Sequence, residues 1–118
     1  MNNSAQIKTI IPLGTISASG NSAPIDTAYF KRGDFFLVAA NKTGTNPTLD
    51  VKLQASADGG GHWFDISGCA FSQLITTGQE MIANVTLPGI LLRAAYTLGG
   101  SASPTFTGAE LRASLRDE

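Results

Sequence analysis

A single cysteine, a single histidine and a single tryptophan stand in this 118-residue chain, and only 14% of its residues are charged. One cysteine, Cys69, excludes an intrachain disulfide, so folding requires no oxidising compartment. His62 and Cys69 are too few for a structural zinc site, which usually takes four such ligands. Eight basic and nine acidic residues leave a net charge of -1. The basic stripe that tracks a nucleic-acid backbone is missing, so no nucleic acid is expected as a partner. No apolar run approaches the roughly 20 residues of a membrane span, and no membrane is expected. The start, MNNSAQIKTII, lacks the basic-then-apolar order of a signal peptide. Walker, GxGxxG and GxSxG motifs are absent, and no cofactor is expected. No segment carries a convincing helical period, and no internal repeat is visible.

What is present is apolar and turn-rich. The hydrophobic fraction, 42%, is too high for a disordered chain of such low charge. The length suits one domain over residues 1–118, with residues 1–5 as a polar arm. The stretch from Asn46 to Ile66 organises the rest. Leu49, Val51, Leu53 and Ala55 fall on one face, and Asp50, Lys52, Gln54 and Ser56 on the other, the period of a half-buried strand. The glycine-rich turn Ala57–Gly61 follows, and His62-Trp63-Phe64-Asp65-Ile66 returns as a second strand.

Other strands read more simply. Ile7–Ile16 is β-branched but broken by Pro12 and Gly14, which implies a kink or an edge position. Pro24–Ala28 is a short strand. Phe35–Ala40 is a continuous apolar run that suits a strand covered on both faces. Ser67-Gly68 reads as a turn before a strand over Cys69–Ile75. Gln79–Leu87 alternates, with Met81, Ala83, Val85 and Leu87 together. Pro88-Gly89 is a turn signal. Ile90–Leu98 and Pro104–Leu115 are strands, with Ala109, Leu111, Ala113 and Leu115 inward. Phe106 is out of phase with them, which predicts a bulge near Gly108. Asn41–Asn46 and Gly99–Ser103 read as loops. About eight short strands predict an all-β, antiparallel β-sandwich.

Chemistry-bearing residues are sparse. A Cys69–His62 pair would need an orienting third group to act as nucleophile and base. Cys69, between Gly68 and Ala70, reads better as a small buried hydrophobe. Asp58 reads as a turn residue that bonds its own backbone. Arg32-Gly33-Asp34 matches a cell-adhesion tripeptide, but Gly and Asp also suit a turn between strands. Ser56-Ala57-Asp58-Gly59-Gly60-Gly61-His62-Trp63 resembles the Asp-box hairpin of sialidase-like propellers, a structural turn remote from catalysis. Trp63, Phe64, Tyr29 and Tyr96 are the aromatics that could stack on a sugar, and in a small β-domain each suits the core better. The residues imply no enzyme.

Two blocks resemble a known family. One is Gly44–Gln54 with Ser56-Ala57-Asp58-Gly59 and Trp63-Phe64-Asp65-Ile66. The other is Leu92–Gly100 with Ser103-Pro104-Thr105-Phe106. Together they look like small β-rich virion proteins of tailed bacteriophages, over roughly residues 35 to 115. The resemblance implies a jelly-roll-like sandwich that acts as a head decoration or cement protein. Its partner would be the major capsid protein, its assembly a homo-oligomer with a trimer favoured, and its place the capsid surface after synthesis in the host cytoplasm. A tail or fibre component, with a carbohydrate-binding role, is the alternative. Partner contacts are expected on the arm and the two loops, at Asn2, Asn3, Gln6, Lys42, Thr43, Asn46, Ser101 and Ser103.

Overall fold

The computed structural model describes residues 5–88 and 90–117. Eight strands follow in order: β1 (Gln6–Ile16), β2 (Gly20–Asn21), β3 (Ile25–Asp26), β4 (Arg32–Ala39), β5 (Asn41–Ser56), β6 (Phe64–Ala70), β7 (Gly78–Thr86) and β8 (Leu91–Arg116). No helix occurs among the described residues. The strands form one antiparallel hydrogen-bonded sheet, curled almost into a barrel, in the order β6-β5-β8-β4-β7 with β1, β2 and β3 also on β8. This is the all-β antiparallel architecture the sequence implies.

β8 is the spine. It runs for 26 residues, which would reach about 86 Å if straight at ~3.3 Å per residue. The whole molecule is only 50 Å long, so β8 must bend. One of its edges carries β4 and β5, from Arg32 opposite Arg116 to Ser56 opposite Leu91. Its other edge carries β1 beside Phe106–Leu115, then β2 and β3 beside Leu91–Tyr96.

The bend lies where β5 and β8 carry opposed bulges. Thr43 faces Thr105 and Thr45 faces Ser101, so Ala102, Ser103 and Pro104 stand against Gly44 alone. Next, Thr48 faces Gly99, so Asn46 and Pro47 stand against Gly100 alone. Extra residues on alternate strands kink and twist a ribbon. Each glycine sits under the other strand's proline. A Cβ on Gly44 would lie 2.7 Å from Pro104 Cα, and one on Gly100 would lie 2.9 Å from Pro47 Cα. Gly44 and Gly100 have φ of 95° and 113°, and Asn46, Ala102 and Ser103 also have positive φ. The expected loops Asn41–Asn46 and Gly99–Ser103 are therefore corrected to paired strand. Their glycines and polar residues serve the bulges rather than free turns.

One continuous core lies inside the curl. Phe35, Leu37 and Ala39 of β4, Leu49, Val51 and Leu53 of β5, and Ala109, Leu111, Ala113 and Leu115 of β8 are all buried in it. Phe106 joins them through the expected bulge: Gly14 pairs with Ala109 and Ile16 with Phe106, which leaves an extra residue on β8, with Gly108 at φ 58°. A second slip was not foreseen. Gly33 pairs with Val85 and Phe35 with Ile82, so Ala83 and Asn84 oppose Asp34 alone, with Asn84 at φ 60°. The slip turns Met81 and Ala83 outward while Val85 stays buried.

Three other expectations change. β4 is covered on one face only, since Phe36 and Val38 are 39% and 37% exposed. Gly68 is no turn: with φ 76° it lies within β6, in an irregular stretch between the Gln54–Asp65 and Lys52–Ala70 pairs. Tyr29 and Phe64 are exposed, not core. The kinked β1 and the β5–β6 hairpin are as expected.

Candidate interaction surface

The doubly bulged ribbon brings five of the sequence-predicted contact residues to one place. Lys42, Thr43 and Asn46 lie on β5, and Ser101 and Ser103 lie opposite on β8. Residues 40–46 and 100–103 are all exposed. The Thr43 and Thr105 hydroxyls hydrogen-bond across the ribbon, and Asn41 Oδ1 accepts the Lys42 amide at 2.8 Å. Lys42 is the sole charged side chain in the stretch, and the rest are hydroxyl, amide or small residues. Gln6 is not part of this surface: it pairs with Leu115 at the far end of β8. Asn2 and Asn3 lie outside the described residues.

Sequence reading placed these residues on two unrelated loops. A signal for their meeting was there to be read. Gly44-Thr45-Asn46-Pro47 and Gly100-Ser101-Ala102-Ser103-Pro104 each put a glycine a few residues ahead of a proline, so that antiparallel pairing sets each glycine against the opposite proline.

Two apolar areas were not foreseen. On the outer face of β4 and β7, Phe36 stands opposite Met81, which is 61% exposed. Between β6 and the end of β7 runs a groove of about 490 Å³, lined by Phe64, Ile66 and Ser67 on one side and Thr86 and Pro88 on the other. It lies between the two strands that end the sheet, β6 and β7.

The Ser56–His62 turn is tightly tied. Ser56 Oγ donates to Asp58 Oδ1 at 2.8 Å and accepts the Gly60 amide at 2.9 Å. Asp58 Oδ1 also accepts the His62 amide at 2.9 Å, and Asp58 Oδ2 lies 2.6 Å from His62 Nδ1. The His62 side chain, then its amide and Ser56, hold the Asp58 carboxyl far below the ordinary carboxylate range. An ionised carboxylate only accepts, so His62 Nδ1 carries the proton. Asp58 thus bonds its own turn, as the sequence implied.

That contact occupies His62, and Cys69 is 4% exposed with its thiol raised by burial alone. The described residues bring together no group of three or more His, Cys, Asp and Glu side chains. The Arg93 guanidinium lies 4.4 Å from the Trp63 ring centre. Arg93 Nε donates to Gln54, Gln54 donates to Asp65, and Lys52 pairs with Asp65 at 3.0 Å. Trp63 thus offers a sugar one face at most.

Asp34 of the Arg32-Gly33-Asp34 tripeptide lies inside β4, not in a turn. It accepts the Asn84 amide at 2.7 Å and pairs with Arg116 at 2.8 Å. Both hold its carboxyl below the usual range, the Asn84 amide most, against a smaller rise from burial.

No protein-family model and no curated protein matches the sequence. The fold does have a match. It is similar to the crystal structure of the SPBc2 prophage-derived protein YomS, with a TM-score of 0.58 over 98% of this chain and 96% of that one, at 10% identity. At that identity the likeness establishes a shared curled β-fold from end to end.

Proposed function

We propose that the protein is a structural component of a tailed-bacteriophage particle, of the head decoration or cement class. The observation that carries this reading is the end-to-end likeness of its fold to a prophage-derived protein. In this reading the curled sheet is a jelly-roll-like sandwich, the partner is the major capsid protein, and copies associate, with a trimer favoured. The protein is made in the host cytoplasm, docks on the capsid surface and performs no catalysis.

The doubly bulged ribbon is the docking element. It is exposed, polar and held in a backbone shape that three non-glycine residues adopt at positive φ. Strain of this kind tends to sit where function fixes the shape. Many weak contacts of this sort act together on a shell. The test is to add purified protein to assembled shells that lack it and to image them by electron microscopy. Ordered density on the shell, reduced by Lys42→Glu while circular dichroism is unchanged, is the expected result. Density on the tail, or none on the particle, would overturn the reading.

The exposure of Phe64, 67%, and Tyr29, 85%, favours the second reading, a tail or fibre component that meets a host glycan. A glycan-array signal lost on Phe64→Ala would support it.

A further inference from the structure

We propose that the Ser56–Asp58–His62 lock keeps the Asp58–Gly59 bond from isomerising to isoaspartate. The proposal is independent of the partner the protein binds. The turn needs positive φ at two successive positions, Gly59 at 76° and Gly60 at 98°, and glycine meets that need without steric cost. The fold therefore places glycine directly after aspartate. That pairing is chemically vulnerable, because glycine has no side chain to shield its nitrogen. Gly59 is open as well: a Cβ built there would have nothing within 4 Å.

The reaction begins when the Gly59 nitrogen attacks Cγ of Asp58. An N–Cγ bond forms, and one carboxyl oxygen leaves as water, taking the amide proton and a proton from solvent. The product is a five-membered succinimide. Water then opens the ring. Attack at the α carbonyl diverts the main chain through Cβ and Cγ as isoaspartate, and attack at the other carbonyl restores aspartate.

The structure opposes the first step twice. Turning the carboxyl toward the Gly59 nitrogen would break contacts to Ser56 Oγ, the His62 amide and His62 Nδ1, at 2.8, 2.9 and 2.6 Å. The same contacts favour the anion, whereas the departing oxygen must be protonated. Ser56 is itself fixed, 1% exposed and bonded to the Gly60 amide. His62 and Ser56 are thus positioning residues for a carboxylate that must stay still.

The experiment ages the folded protein at physiological pH and temperature, then measures isoaspartate by peptide mapping and methyltransferase labelling. The wild type is compared with His62→Ala, Ser56→Ala and the wild-type chain unfolded in urea. The His62 side chain is 77% exposed, so its removal leaves the fold intact. The expected result is little isoaspartate in the wild type, with a rate about tenfold higher in each variant, the factor typical for loss of one hydrogen bond to a charged group. If Ser56→Ala proves unfolded, His62→Ala alone decides. A His62→Ala rate equal to the wild type, or a folded wild-type rate equal to that of the unfolded chain, would overturn the proposal.

Discussion

Gly44 and Pro104 are in closer contact than any side chain at position 44 would permit. Pro104 Cα lies 2.7 Å from where a Gly44 Cβ would be. The same relation recurs one bulge along, between Gly100 and Pro47 at 2.9 Å. The obstacle is backbone in both cases, so neither site can relax by turning a side chain.

Gly44→Ala and Gly100→Ala should each therefore destabilise the protein. A non-glycine residue in the left-handed region costs roughly 1–2 kcal/mol before any clash. A loss of about 2 kcal/mol, or roughly 8 °C in Tm, is expected by thermal unfolding. An unchanged Tm would show that the ribbon does not hold this shape in solution.

Phe35 and Phe36 are neighbours with opposite fates. Phe35 is fully buried and Phe36 is 39% exposed. Phe35→Ala should cost about 3–5 kcal/mol in denaturant unfolding, and Phe36→Ala about 1 kcal/mol or less. Equal losses would mean that β4 is covered on both faces.

Acid should act late on two carboxylates. Asp34 and Asp58 have folded pKa values below their unfolded ones. Their contributions are thus fully present above the unfolded value, near ~3.9. They are lost only as pH falls through the lower folded values. The Ser56–His62 turn should consequently keep its hydrogen bonds from neutrality down past pH ~4. Carbon NMR of the Asp58 carboxyl checks this, and a midpoint near ~3.9 would contradict it.

Arg93 covers the sole tryptophan, so its loss can be read optically. Arg93→Ala should lower stability by about 1 kcal/mol, the usual size of an exposed cation–π contact. It should also raise acrylamide quenching of Trp63 fluorescence. Quenching that does not change would place the guanidinium elsewhere in solution.

The sequence displayed those features that alternate. Leu49, Val51, Leu53, Ala109, Leu111, Ala113 and Leu115 are buried as their spacing implies. Phe106, out of step, announced the bulge at Gly108 because a large apolar side chain on the wrong face is costly. Asn84 announced nothing. Its slip depends on Asp34 accepting its amide and on Arg116, partners far away in the chain, so local pattern could not place Met81. The ribbon misled for a related reason. Glycine, asparagine and proline signal turns, and only the pairing of two distant segments converts them into bulges. The contact residues were named singly, and their assembly needed the register of β5 on β8.

The way β8 is sandwiched has a consequence for how the molecule comes into being. Five of the other strands, β1 through β5, bond to β8, and Gln6 near the start meets Leu115 near the end. The β5–β6 and β4–β7 pairs are the ladders whose two strands are both synthesised before β8 emerges. On a translating ribosome those two pairs can form early, but nothing joins them to each other, and β1, β2 and β3 have no strand to bond to, until β8 is out. Closure of such distant pairs is slow, in the millisecond-to-second regime of β-rich folds, and leaves unpaired strand edges open in the meantime.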